Sequence, residues 1–203
     1  MSILNQNQPV VIKFTQDQTY VRQYYNLRER MYTSVWGLQG FNGQEDEFDQ
    51  KSHILVAVKD GRVVGGARIS VRTPQAPNLL PMEKREVSLE HQIADLNLPQ
   101  CRYGEYSRLA LLPEYRGGGC TLAMYKALNR KSISLNLKFA FALSPLTQAR
   151  SYRKIYQALG FNYTILEDVV IPENPEYEGI KMCLSVLDLS RYCSDSVDFV
   201  EEL

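Results

Sequence analysis

The sequence predicts a mixed α/β fold: one domain on a central twisted sheet of about seven strands, with about four helices packed against it. Three observations carry that prediction. Strand-like and helix-like stretches follow one another as β-α-ββ-insert-β-α-β-α-ββ. Phe139 to Leu143 is continuously apolar, as expected of a strand covered on both faces. Residues 103–119 run as an apolar strand into Arg116 and three glycines, after which a helical pattern begins. At 203 residues the chain has the size of one domain and no repeat or linker divides it.

Val10 to Phe14 reads as a short strand. Thr15 to Gln18 has the form of a capping box and opens a helix to about Val35. The helical period puts Val21, Tyr24, Tyr25, Arg28, Met31, Tyr32 and Val35 on its inward stripe. An arginine there either snorkels at the stripe's edge or points into a cavity. The loop from Gly37 to Lys51 follows Trp36 and carries Glu45, Asp46, Glu47 and Asp49, either as solvated surface or as a substrate-contacting segment. Ile54 to Val58 and Arg62 to Val71 form a hairpin around Asp60-Gly61, a favoured type I′ pair. Gly65-Gly66 within the second strand indicate a bulge or a close backbone approach.

Residues 72–100, broken by Pro74, Pro77 and Pro81, read as an irregular insertion closing one side of a pocket, with a short helix between Val87 and Leu96. A strand from Tyr103 to Leu112 leads to a helix over Thr121–Ser134, packed through Leu122, Met124, Ala127, Leu128 and Ile133. After the Phe139–Leu143 strand, a helix presents Tyr152, Ile155, Tyr156 and Leu159 and ends at Gly160, a C-terminal cap. Residues 163–171 and 180–189 make two closing strands, and 194–203 is an acidic tail expected to fray.

Composition excludes several classes. With 23 basic and 23 acidic side chains the net charge is zero, which argues against a general nucleic-acid binder. Four cysteines without a CxxC pair, and only His53 and His91, give neither a zinc site nor a Cys-His nucleophile. The N-terminal residues lack a signal-peptide pattern, and no apolar run reaches the roughly 20 residues of a membrane span. A cytoplasmic protein with reduced thiols is expected.

The chemistry concentrates at 103–119. A strand, a glycine turn and a helix start present free N–H groups at a positive dipole end, which suits a phosphate or pyrophosphate. Glu105 and Arg108 lie on the strand entering that cradle, so anion binding and proton chemistry are within reach of each other. Three apart on a regular strand, they would face opposite sides.

The Arg116-Gly117-Gly118-Gly119 turn, followed by Tyr156-Gln-Ala-Leu-Gly160-Phe161, resembles the GNAT N-acyltransferases, although Thr121 stands where that family has Gly or Ala. Arg28, Tyr32, Trp36, Asp46, Asp49, Arg68, Glu105 and Arg108 are similar to the charged signature of acyl-homoserine-lactone synthases and long-chain N-acyl amino acid synthases. Tyr32 at a position that is usually Phe, an early Trp36 and the glycine-rich turn favour the second branch. The resemblance implies an N-acyltransferase moving an acyl group, fatty rather than acetyl, from a pantetheine thioester on acyl carrier protein or coenzyme A to the amine of an amino acid or related molecule. It implies no tightly bound cofactor. An acetyl-CoA-dependent N-acetyltransferase is the alternative.

The same resemblance implies the roles. Glu105 is the candidate general base, since the attacking amine must lose a proton, and a strand bulge of the GNAT kind would bring Arg108 to its cleft. Backbone N–H groups near Leu109 to Leu111 would hold the oxyanion. Tyr156 either protonates the departing thiolate or is only core, and Ser107 would serve the oxyanion or the thiolate instead. Arg116, Gly117, Gly118 and Gly119 would cradle phosphate. Arg28, Asp46, Asp49, Arg68 and Arg108 either order an N-terminal lid or bind the acceptor, with Tyr32 and Trp36 beside them. A long acyl tail would need an apolar tunnel, and Phe139, Phe141, Leu143 and the C-terminal strands are either its walls or simply core.

Overall fold

The computed structural model describes residues 9–192 apart from 86, 118, 174 and 178. Gly118 and the 194–203 tail therefore lie outside the described residues. Seven strands make one sheet: β1 (Val11–Thr15), β2 (His53–Lys59), β3 (Arg62–Arg72), β4 (Tyr103–Leu111), β5 (Phe139–Pro145), β6 (Asn162–Leu166) and β7 (Met182–Asp188). Their spatial order is β1-β2-β3-β4-β5-β7-β6. The helices are α1 (Gln18–Ser34), α2 (Leu89–Gln92), α3 (Cys120–Ser134) and α4 (Leu146–Ala158).

Two layers cover the sheet. On one face α1 packs on Ile54, Val56, Val58 and Ala110, and the 72–100 insertion packs through Leu80, Met82, Val87 and Leu89 on Tyr103, Phe139 and Phe141. On the other face α3 and α4 pack on Leu55, Ala57, Ala67, Ala140 and Leu187. Adjacent strand residues thus serve opposite layers, as the pleat requires.

Several expectations need correction. The helix cap is Asp17, whose carboxylate accepts from the Thr19 N–H at 2.8 Å, and Thr15 instead closes β1 and accepts from the Asp17 N–H. Asp17 lies next to the first helical turn, so its shorter reach wins over a capping box. Val35 at the helix end and Leu122 on α3 are exposed, while Leu27 and Tyr125 take the inward positions. Only Leu89–Gln92 of the insertion is α-helical. The strand expected over 163–171 stops at Leu166, and among the described residues between it and β7 only Pro175–Tyr177 forms a short 3-10 turn. Asp60 and Gly61, at φ 50° and 75°, form the expected hairpin turn.

β4 and β5 are the only parallel pair among the described strands, and they pair over just three positions, ending at Glu105 opposite Phe141. Both strands continue but part company, which opens a gap in the middle of the sheet. On its other edge β4 carries a bulge. Gly66 pairs with Ala110 and Arg68 with Ser107, so Arg108 and Leu109 together oppose Ala67. Arg108 takes φ 57°, and its carbonyl accepts the Tyr24 hydroxyl at 2.7 Å. Gly66 makes room for that contact, since a Cβ there would lie 2.3 Å from the Tyr24 ring.

Candidate active site

The bulge decides which side chains meet. Without it Glu105 and Arg108 would face opposite layers; with it, Glu105, Ser107 and Arg108 all line one cavity of about 750 Å³ on the α1 and insertion face. Arg68, Tyr32 and Trp36 line it too, as do Glu173, Tyr177 and Lys181 from the 167–181 loop. Beneath the sheet, between α3 and α4, lies a second cavity of about 700 Å³, walled by Tyr106, Leu109, Leu111, Ala140, Ala142 and Tyr156. Tyr32, Trp36, Ser107, Arg108, Leu143 and Ile180 line both. The two spaces therefore meet at the gap where β4 leaves β5.

The Leu112 N–H donates to the Val64 carbonyl at 2.9 Å, on the β3 side. Strand alternation turns the N–H groups of Leu109 and Leu111 to the opposite edge, into the gap. Arg116 caps the Leu111 carbonyl there through Nε at 3.1 Å. Gly117 and Gly119 both have φ 84°, a left-handed conformation that suits glycine, and Gly119 caps α3. The first intrahelical bond runs from the Ala123 N–H to the Gly119 carbonyl, so the N–H groups of residues 120–122 precede it. Arg116 and Thr121 line the lower cavity beside this helix end.

Arg28, Asp46, Asp49, Arg68 and Arg108 form one network. Asp49 receives Arg28 bidentately at 3.0 and 2.6 Å and Arg68 at 3.0 Å. Asp46 receives Arg68 at 2.6 Å and stands 3.6 Å from Arg108. Arg28 also donates to the carbonyls of Gly43 and Gln44, fixing the loop that delivers the two aspartates. Burial pushes the Asp46 carboxyl upward, but the Arg68 hydrogen bond and the neighbouring guanidinium charges outweigh it and bring the pKa down to about 2. Arg28, Asp46 and Asp49 are not among the residues lining either cavity, whereas Arg68 and Arg108 line the upper one.

Around Arg108 stand groups that the sequence did not single out. Its guanidinium lies 4.7 Å above the Phe41 ring, donates to Tyr177 at 3.2 Å and pairs with Glu176 at 3.2 Å. Tyr32 stacks on Trp36 at 5.0 Å and on Phe41 at 4.4 Å. Glu105 is buried, and one of its oxygens accepts the Met82 N–H at 2.8 Å. Ser107 accepts from Arg68 at 3.1 Å. Tyr156 is buried in the lower cavity, where burial holds its pKa well above the usual phenol range and so keeps it protonated. Its hydroxyl has no hydrogen-bond partner among the described residues.

Phe139 and Phe141 pack under the insertion against Tyr103 and do not line the lower cavity; the alternate residues Ala140 and Ala142 face it, with Leu143 at the gap. Lys84 sits on the insertion, across the sheet from Lys126, Arg130 and Lys131 on α3. Among the described residues no group of three or more His, Cys, Asp or Glu side chains is placed to hold a metal, and no helix is long and apolar enough to cross a membrane.

The model of the family described as "N-acyl amino acid synthase FeeM" matches residues 23–162. No curated relative matches the chain by sequence. Among solved structures, a CoA-dependent acyl-homoserine lactone synthase, BjaI, aligns with a TM-score of 0.63 at 17% identity, over 96% of this chain and 89% of that one. FeeM, an N-acyl amino acid synthase from uncultured soil microbes, aligns with a TM-score of 0.63 at 11% identity, over 97% and 99%. A GNAT-family acetyltransferase from Staphylococcus aureus Mu50 aligns at 0.53 and 10% identity, over 89% and 99%. The structural likenesses, at such identities, establish the fold. The family match spans most of the chain, and with it the chain belongs to the N-acyl amino acid synthase FeeM family and is an acyltransferase with the GNAT fold.

Proposed function

We propose that this acyltransferase moves a fatty acyl group from a pantetheine thioester to the amine of an amino acid or related small molecule. The observation that supports it best is the meeting of two cavities, one charged and one largely apolar, at the split between β4 and β5. The lower cavity takes the acyl chain and the pantetheine arm, with the carrier phosphate at the start of α3 beside Arg116, Gly117 and Gly119. The upper cavity takes the acceptor.

In this reading Glu105 withdraws a proton from the acceptor ammonium, directly or through a water. The neutral amine attacks the thioester carbon at the gap, forming the C–N bond. The tetrahedral intermediate gives up its second amine proton to solvent and collapses with cleavage of the C–S bond. The N–H groups of Leu109 and Leu111 stabilise the oxyanion, and Tyr156 or Ser107 protonates the departing thiolate. Arg108 and Arg68 meet the acceptor's polar groups beside Tyr32 and Trp36, and a carboxylate there would pair bidentately with a guanidinium. Arg28, Asp46 and Asp49 hold the wall rather than the substrate. Acyl carrier protein and coenzyme A both fit the donor role. A carrier-protein donor brings one phosphate and no adenosine, which tolerates Thr121 in the turn. The basic residues of α3 face a different side from Lys84, so only one of those groups would meet an acidic carrier surface.

The test is to supply matched acyl-carrier-protein, acyl-CoA and acetyl-CoA donors with a panel of amino acids, following free thiol and product mass. A long-chain donor should turn over at least tenfold faster than acetyl-CoA; turnover of acetyl-CoA alone would return the chain to the acetyltransferases.

A further inference from the structure

A second charge cluster lies outside the network that frames the upper cavity. Arg72, at the end of β3, pairs with Glu83 at 2.8 Å and with Glu90 at 2.5 Å. The Tyr103 hydroxyl donates to Glu83 at 3.2 Å, and the other Glu83 oxygen accepts the Leu80 N–H at 2.9 Å. Arg72 is the register partner of Tyr103, two residues before Glu105 on the same face of β4. The cluster therefore ties the insertion to the sheet immediately beside Glu105. The turn it grips, residues 80–83, presents the buried Met82 N–H to the Glu105 carboxylate at 2.8 Å.

A structural staple alone does not need that last bond. Insertions are ordinarily docked by apolar burial, which Leu80, Met82, Val87 and Leu89 already supply. Here the main-chain donor just before the 3-10 turn Glu83–Arg85 reaches a buried carboxylate. The turn's own bonds, from the Lys84 N–H to the Leu80 carbonyl at 3.1 Å and from the Val87 N–H to the Met82 carbonyl at 3.4 Å, do not involve the Met82 N–H, so its aim depends on what docks the turn. We propose that Arg72, Glu83 and Glu90 are positioning residues for acyl transfer: they seat the 80–83 turn so that the Met82 N–H fixes the Glu105 carboxylate and favours its ionised form. The proposal rests on the reading of Glu105 as general base.

The consequence is a pH effect of definite sign. A hydrogen bond to the charged form of a carboxylate lowers its pKa, so loosening the turn raises the pKa of the base. The acid limb of kcat/KM then moves to higher pH. Charges that line the cavity with Glu105 are untouched by these replacements: Arg68 on β3, Arg108 on β4, and Glu173 and Lys181 across the cavity. Replacing Glu83 separates position from charge. Losing a nearby anion alone would move the limb down, whereas losing the seat of Met82 moves it up.

The experiment measures kcat/KM against pH for wild type, Glu83→Ala, Arg72→Met and Glu90→Ala, with Glu105→Gln as reference, and hydrogen exchange over residues 80–85. The expected result is an upward shift of about one pH unit in Glu83→Ala and Arg72→Met, the size expected when a charged hydrogen bond is largely lost. Glu90→Ala, whose side chain is 37% exposed, should shift about half as far, and exchange at Met82 should accelerate in all three. An unmoved or downward limb in Glu83→Ala overturns the proposal; should that variant not fold, the same outcome in Glu90→Ala does so. Glu105→Gln should lose about 10²- to 10⁴-fold in rate. If it does not, the reading of the base fails, and that failure is distinct from a fixed limb in an enzyme that still depends on Glu105.

Discussion

The two faces of the sheet hold cavities of nearly equal volume, about 750 and 700 Å³, by opposite means. Above the sheet the walls are loops tied by guanidinium–carboxylate pairs, with Arg28, Asp49 and Arg68 almost wholly buried. Below it the walls are the apolar sides of α3 and α4 and the small side chains of β5. A buried charge network holds its geometry only while every member is present, because losing one partner strands the others in a poor solvent. An apolar wall loses only area or shape when one residue changes. Substitutions above the sheet should therefore be felt as stability, and those below it as donor selectivity.

The sharpest way to break that contrast is Asp49→Ala. The carboxylate serves both Arg28 and Arg68 and accepts the Asp46 N–H at 2.9 Å. Without it two buried guanidinium groups lose a partner, and a loss of about 3–5 kcal/mol in chemical denaturation is expected. A loss below about 1 kcal/mol would mean that the network is solvated and that the two faces do not differ in kind.

Below the sheet the corresponding change is Ala142→Leu, which pushes a larger side chain into the lower cavity, where the proposal seats the acyl chain. Overpacking of this kind costs about 1–3 kcal/mol, here drawn from donor binding. Long-chain donors should lose about 10- to 100-fold in kcat/KM while acetyl-CoA is little affected. Equal losses for both donors would place the chain elsewhere.

The same contrast governs what could be read from the sequence. The lower face is periodic: the stretches that became α3, α4 and β5 announced themselves by helical spacing or by a continuous apolar run. Within β5 the pleat turns Phe139 and Phe141 to the core under the insertion and the smaller Ala140 and Ala142 to the lower cavity, a choice of phase that a continuously apolar run does not reveal. On the upper face only α1 is periodic, and its stripe already holds Arg28 and Tyr32; the rest of that face comes from the loops around it, where no period exists to be found. Beyond Arg28 on that stripe, Asp46, Asp49, Arg68 and Arg108 are legible as charges in a familiar order, whereas Tyr177, Glu176 and the Met82 N–H carry no such mark. The latter are placed by tertiary contacts alone. Tyr24 stood on the predicted stripe, but its bond to the Arg108 carbonyl depends on a bulge that spacing cannot locate.

The smallest expected effect tests whether the charged face also sets acid stability. The folded-state pKa of Asp46 is about 2 against an ordinary 3.8, a depressed carboxylate. Its contribution is therefore fully present above pH 4 and is lost as pH falls from about 4 to about 2. The shift corresponds to about 2 kcal/mol at most, and partial exposure of the side chain reduces it to about 1–2 kcal/mol. Asp46→Asn should lower stability by that amount at neutral pH and converge on wild type near pH 2, whereas Ala142→Leu should keep a constant offset from wild type across the same range. If Asp46→Asn instead ran parallel to wild type down to pH 2, the pairing with Arg68 and Arg108 would be geometric only, and the charge on the loop would contribute nothing to holding the upper cavity together.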